Sequence, residues 1–268
     1  MPNDGPPSPP EDPARAFYLH VLRALQEADA SFLVGGAYAL RHYVGIERDT
    51  KDFDIFVRRE DYDGVMAVLS DSGCSTELTF PHWLGKAKCD NALVDVIFSS
   101  GNGVSLVDDD WFRYAQPGRV FDVAVKLCPP EEIIWSKAFI HERERYDGAD
   151  IMHMLLACAG TLDWDRLLQR FGAHWRVLLS YLCLFGFVYP SERQKLPEWV
   201  MTALLDRLHE ELHAPPPQER ICQGTLISRE QYLPDLERWG FLDARLITPS
   251  AMTEEEIAQW TLAIQQKE

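Results

Sequence analysis

The chain has 268 residues, 46% of them hydrophobic and 25% charged, a balance that supports the buried core of one large domain or two small ones. A formal net charge of −16 repels polyanions at long range, so duplex DNA is not an expected partner. The six cysteines form no C-x-x-C pair, which argues against a zinc ribbon and against a small disulfide scaffold.

Residues 1–12 are rich in proline and acidic residues without a basic-then-apolar leader, so they are expected to be disordered and the protein cytoplasmic. The longest apolar run without a charge, 177–189, is too short for a bilayer, and no membrane association is expected. Asp12 and Pro13 predict a helix start, and Phe17, Val21, Leu22 and Leu25 follow at helical spacing. A short strand over 31–34 then meets the Gly35-Gly36 turn, which opens a helix over 37–43. A strand over 53–57 and a helix over 59–70 come next, the helix turning Tyr62, Val65, Met66 and Leu69 inward. Strands over 83–89 and 93–98 form a hairpin about Asp90-Asn91, and a further strand over 120–125 precedes Pro129-Pro130.

From 131 onward the apolar spacing becomes helical, with helices expected over 131–145, 148–158, 164–171, 175–187 and 197–212. Pro215-Pro216-Pro217 marks a linker, and the segment 215–268, with a last helix from Thr253, has no assigned role. The expected fold class is α/β (α+β). A mixed β-sheet with flanking helices fills 13–130, and a helical domain follows over 131–214.

Chemistry concentrates in three places. Side chains alternate along a strand, so Asp52 and Asp54 project from one face with Cα atoms about 7 Å apart. Such a pair can converge on divalent ions, which two-metal enzymes hold about 3.5–4 Å from each other. Asp95 stands within the apolar run Leu93-Val94-Asp95-Val96-Ile97-Phe98, where burying a lone carboxylate is costly, so it is the candidate third acid. Gly35-Gly36 allows backbone to approach phosphate, and the following helix start adds its dipole. The donors suit Mg2+ or Mn2+, with a nucleoside triphosphate (NTP) as co-substrate.

Gly35-Gly36-Ala37-Tyr38-Ala39-Leu40, then Arg48-Asp49-Thr50-Lys51-Asp52-Phe53-Asp54, then Asp95, together resemble the nucleotidyltransferase superfamily. That superfamily includes DNA polymerase beta, antibiotic nucleotidyltransferases and abortive-infection toxins, and the likeness is greatest to its small bacterial members. It covers about 31–156. The 15 residues between Gly36 and Asp52 slightly exceed the usual family spacing, and Gly36 stands where many members have serine. The resemblance implies a nucleotidyltransferase-like fold and metal-dependent transfer of a nucleoside monophosphate to an acceptor hydroxyl, releasing pyrophosphate. Asp52, Asp54 and Asp95 would be the catalytic and metal-binding acids. Gly35, Gly36, Arg48, Thr50, Lys137, Arg143 and Asp150 would contact the nucleotide and its phosphates.

Several of these residues have a second reading. Arg48 can pair with Glu47 or Asp49 at the surface, and Lys137 can snorkel from a helix whose inward residues are Ile133, Ile134 and Phe139. Asp147 reads as a helix cap, and Arg143 with Asp150 can simply tie two helices together. Asp108-Asp109-Asp110 reads as a solvated turn and 100–103 as a turn, since the third glycine of a dinucleotide loop is missing. The 141–145 stretch lacks the second histidine of a zinc helix, and Trp135, Trp164 and Trp175 fall at packing positions. The acceptor is open among a small molecule, a protein and tRNA. Two alternatives stand beside the enzyme: a toxin of a toxin–antitoxin pair that modifies tRNA, and a catalytically inactive nucleotide-binding or interaction module. The acidic charge weighs against the first and the intact acids against the second.

Overall fold

Two parallel neighbours, β2 (Asp52–Phe56) and β5 (Ala92–Ile97), form the middle of the sheet, with Asp52 opposite Leu93 and Asp54 opposite Asp95. Both alternate in burial: Phe53, Ile55, Val94 and Val96 are fully buried on one side, and Asp52, Asp54 and Asp95 are half-buried on the other. These strands belong to a computed structural model that describes residues 13–48, 50, 52–89, 92–247 and 252–263. The expected disorder of 1–12, the Asp12 cap and the Asp90-Asn91 turn lie outside the described residues.

The other strands are β1 (Leu33–Val34), β3 (Ser75–Phe80), β4 (Leu84–Cys89), β6 (Gln116–Val120) and β7 (Val123–Leu127). Seven strands thus form one mixed sheet in the order β3-β4-β5-β2-β1-β7-β6. On the apolar side pack α1 (Pro13–Glu27) and α3 (Tyr62–Asp71), and Tyr18 of α1 stacks on Phe53 at 5.1 Å. A third helix, α2 (Gly36–Val44), begins at the glycine pair, and its Tyr38 meets Phe53 edge-on at 5.1 Å.

The structure departs from the sequence pattern in four places. β3 was not expected, because Ser75 to Leu78 are exposed on this edge strand and show no apolar alternation. The single strand expected over 120–125 is instead the meeting of β6 and β7. Phe121 and Asp122 turn the chain with φ of 49° and 65°, a conformation that commonly takes Gly or Asn and so leaves no signature here. Asp108 is not a solvated turn: it accepts a hydrogen bond from the Asp110 amide at 3.1 Å and caps α4 (Asp109–Arg113), whose Trp111 stacks on Phe56. The helix expected over 131–145 ends as α5 (Pro130–Lys137), and 138–147 is a loop in which His141 bridges Tyr146.

Beyond the loop lie α6 (Gly148–Cys158), α7 (Trp164–Phe171), α8 (Trp175–Val188) and α9 (Glu198–His213). α6 packs on both α2 and α5, which joins these helices to the sheet. The stretch Trp164–Val188 is, by length and composition, long and apolar enough to cross a membrane, more than the run at 177–189 suggests. Gly172 breaks it at φ 46°, and Trp175, Leu178, Leu182 and Phe185 are buried in the core. The tail adds β8 (Ile221–Cys222), which pairs with β9 (Leu242–Asp243), together with α10 (Leu233–Glu237) and α11 (Glu254–Leu262). Thr253 and Glu256 cap α11 reciprocally, as a capping box.

Buried charge also ties α5 to α7. Arg166 donates to Glu131 and Glu132, and Arg170 donates to Glu132 at 3.0 Å and to Asp108 at 2.6 and 2.8 Å. Glu132 is wholly buried, and burial raises its pKa against the lowering effect of the two arginines. Removing Arg166 would leave the buried Glu131 without its cation and Glu132 with Arg170 alone, in a low dielectric. Arg166→Met is therefore expected to lower unfolding free energy by about 3–5 kcal/mol in urea titrations.

Candidate active site

The glycine pair is shaped by what presses against it. The Gly35 amide donates to the Asp54 carbonyl at 3.0 Å, and Gly36 turns the chain at φ 54°. A Cβ on Gly36 would lie 1.7 Å from Asp54 Oδ2, and one on Gly35 would lie 2.2 Å from the Phe56 ring. Neither position accepts a side chain without moving β2 residues, and Gly36 also needs the left-handed backbone.

Carboxylate oxygens of Asp52, Asp54 and Asp95 all lie within 4.8 Å of one another. Each has a different setting. Thr50 Oγ1 donates to Asp52 Oδ1 at 2.7 Å, and Lys86 Nζ donates to Asp95 Oδ1 at 2.8 Å. Among the described residues no hydroxyl or cation bonds the Asp54 carboxylate. Burial, then Asp52, then Asp95 push its pKa up to about 7, with Lys137 and Arg145 opposing. Burial raises Asp95 too, against the pull of Lys86. An all-oxygen set of crowded, mutually repelling carboxylates fits a hard divalent cation such as Mg2+ or Mn2+.

A cationic group gathers near the start of α6. Lys137 Nζ contacts Asp147 at 2.5 Å and Asp150 at 2.9 Å, while Arg48 pairs with Asp150. Arg145 grips Asp147 with two bonds of 2.9 Å. Burial favours protonation of Asp147, but Arg145 and Lys137 outweigh it and hold the pKa at about 2. The positive charge of Arg145 also acts on Asp52, Asp54 and Asp95.

The structure thus brings Gly35, Gly36, Thr50, Asp52, Asp54 and Asp95 together, with Arg48, Lys137 and Asp150 in the adjoining ion-pair group. Arg143 is exposed and lies outside that group, and Arg145 holds the place expected of it. Asp147 precedes α6 but makes no side-chain cap bond, because its oxygens are taken by Lys137 and Arg145. Lys86 and Arg145 are additions. Lys86 had a signal: counting outward from a two-residue turn at Asp90-Asn91 sets it opposite Asp95, the observed register. Arg145 had none, since its place depends on α5 stopping at Lys137.

No family model matches the chain, and no curated protein matches it in sequence. Among solved structures it is similar to the antibiotic-resistance factor ANT(2'')-Ia, with 16% identity, a TM-score of 0.46, and coverage of 61% of this chain and 94% of that one. It is also similar to the lincosamide antibiotic adenylyltransferase LnuA, with 16% identity, a TM-score of 0.38, and coverage of 53% and 96%. A nucleotidyltransferase-like protein from Paracoccidioides brasiliensis shows 17% identity, a TM-score of 0.36, and coverage of 63% and 91%.

Two outcomes follow from the crowding of Asp54. Its folded pKa, about 7, exceeds the ordinary 3.8, so the fold binds the proton more tightly and loses stability as pH rises between those values. Without metal, melting temperature should fall across this window, Asp54→Asn should flatten that fall, and Mg2+ should stabilise the wild type more at pH 8 than at pH 5.5. Gly36→Ala, which displaces the Asp54 carboxylate, is expected to weaken Mn2+ binding in calorimetry by about 10- to 100-fold.

Proposed function

We propose that this chain is a metal-dependent nucleotidyltransferase that moves a nucleoside monophosphate from an NTP to an acceptor hydroxyl and releases pyrophosphate. The observation that carries this is the convergence of three carboxylates on one sheet face, directly beside a glycine pair that opens a helix.

Asp52, Asp54 and Asp95 would hold Mg2+ or Mn2+, and the bound ions would polarise the phosphoryl oxygens and favour the ionised acceptor. The chain's own residues divide the remaining work. Gly36, half-buried at the start of α2, would offer its backbone to the β- and γ-phosphates with the helix dipole behind it, while the Gly35 amide, committed to the Asp54 carbonyl, holds the turn in place. Lys137, Arg48 and Arg145 rest on Asp147 and Asp150, and can turn from those carboxylates to the leaving pyrophosphate. Asp95, oriented by Lys86, is the carboxylate that takes the proton from the acceptor hydroxyl. Thr50 fixes the Asp52 carboxylate by its hydrogen bond to Oδ1.

A net charge of −16 favours a small molecule or a protein over tRNA as acceptor, and the complete set of acids favours turnover over mere binding. An acceptor screen that follows pyrophosphate release from each NTP identifies the pair. With that pair, Asp54→Ala is expected to lower magnesium-dependent release by at least about 100-fold. Retention of wild-type release by Asp54→Ala would sink the assignment.

A further inference from the structure

Arg145 grips Asp147 in the ion-pair group beside the three acids, yet the loop that carries it has little regular structure of its own. Within 138–147 the chain has one bridge, His141 to Tyr146, and a 3.4 Å bond from the Asp147 amide to the Ile140 carbonyl; the Arg145 guanidinium is held by Asp147, and His141 Nε2 lies 2.7 Å from the Tyr181 hydroxyl of α8. The run His141-Glu142-Arg143-Glu144-Arg145 has no apolar side chain to bury. Contacts from elsewhere set the path of the chain between His141 and Arg145.

The tail does so from a distant part of the sequence. The His141 amide donates to the Ile227 carbonyl at 2.9 Å, and Gln231 Nε2 donates to the His141 carbonyl at 2.8 Å. Glu142 accepts from Ser228 Oγ at 2.8 Å and from the Arg229 amide at 3.1 Å, one bond on each carboxylate oxygen. Arg229 also donates to Glu144 at 2.6 Å. Ser228 is 1% exposed, so its bond to Glu142 is sheltered from water.

The same tail residues are fastened to the sheet. Asn102 Nδ2 donates to the Leu226 carbonyl, and the Arg229 guanidinium lies over the Trp260 ring at 4.2 Å. Trp260 in turn meets Phe80 and Trp83 edge-on at 5.0 and 5.2 Å, and Gln259 donates to the Thr79 carbonyl at 3.1 Å. Phe80 and Trp83 flank the turn into β4, the strand that carries Lys86. One short stretch, 226–231, therefore spans from the β3–β4 side of the sheet to the Arg145 loop.

We infer that the C-terminal segment is a clasp that sets Arg145 against the incoming triphosphate, with Glu142 and Ser228 as positioning residues. The inference rests on the nucleotidyltransferase reading of the site. Glu142 touches no reacting atom; three residues ahead of Arg145, it fixes the path of the loop. Loss of the clasp leaves the three acids in place and takes away one cationic partner of the phosphates.

A double-mutant cycle separates this role from a merely structural one. The full chain is titrated in Mg2+ with an α,β-methylene NTP analogue, and affinity is read by calorimetry for wild type, Arg145→Ala, Glu142→Ala and the double variant. Arg145→Ala is expected to weaken binding about tenfold or more. Glu142→Ala should weaken it comparably, and the double variant no further than Arg145→Ala alone. Glu142→Gln, which keeps one carbonyl oxygen as acceptor, should recover most of the loss. If Glu142→Ala fails to fold, Ser228→Ala carries the same comparison against Arg145→Ala. Wild-type affinity in Glu142→Ala or, where that variant does not fold, in Ser228→Ala, or losses that multiply with that of Arg145→Ala, would overturn the clasp. Manganese titration of Asp54→Asn tests the site separately: loss of binding there with intact affinity in Glu142→Ala rejects the clasp alone, whereas retained Mn2+ binding rejects both.

Discussion

Everything at the site depends on the fit of the Asp54 carboxylate against the bare Cα of Gly36. The oxygen occupies space that any side chain at position 36 would fill, and the Gly35 amide binds the carbonyl of the same aspartate. Strand β2 and the start of α2 are thereby locked in one relative placement. The parallel register with β5 then puts Asp95 level with Asp54, which crowds three negative charges on one face. Burial, and then the crowding by Asp52 and Asp95, disfavour the ionised Asp54 and push its pKa up, a cost offset by the core packed on the other face through Phe53, Ile55, Val94 and Val96. The sheet is thus stabilised on one side and left electrostatically strained on the other.

The surrounding charges follow from that strain. Beside Asp52 and Asp54, the carboxylates Asp95, Asp147 and Asp150 pair with the cations Arg48, Lys86, Lys137 and Arg145. The cations are not spread evenly. Lys86 is committed to Asp95 from within the sheet, whereas the other three share Asp147 and Asp150 at the helical side. Their present partners are carboxylates, and phosphate oxygens offer the same kind of acceptor with more charge. On the proposed reading the donors are gathered before any anion arrives, which would lower the cost of ordering long side chains on binding.

Much of this was legible before the fold. Alternation along a strand puts Asp52 and Asp54 on one face wherever that strand lies, and an aspartate inside Leu93–Phe98 demands a partner in any fold. The glycine pair reads as a turn from composition alone. What escaped depended on long-range placement or on turns without signature residues. Phe121 and Asp122 adopt positive φ without a glycine, so one apolar run concealed two strands. β3 sits at a sheet edge with exposed side chains, where periodicity has no reason to appear. The loop after α5 carries no such signature, and the contacts that hold it come from residues some eighty-odd positions downstream, a distance no local pattern encodes.

Those same tail contacts bear on how the chain reaches its native state. Ser228 and Glu142 are 86 residues apart, Asn102 and Leu226 are 124 apart, and Gln259 and Thr79 are 180 apart. Closing such long segments costs more chain entropy than pairing β4 with β5, which are neighbours in sequence, so these contacts are expected late in folding. During synthesis the sheet and its three acids emerge well ahead of the segment that holds the loop after α5. For that interval the nascent chain carries its crowded anionic face without the tail contacts that later fix the loop beside it.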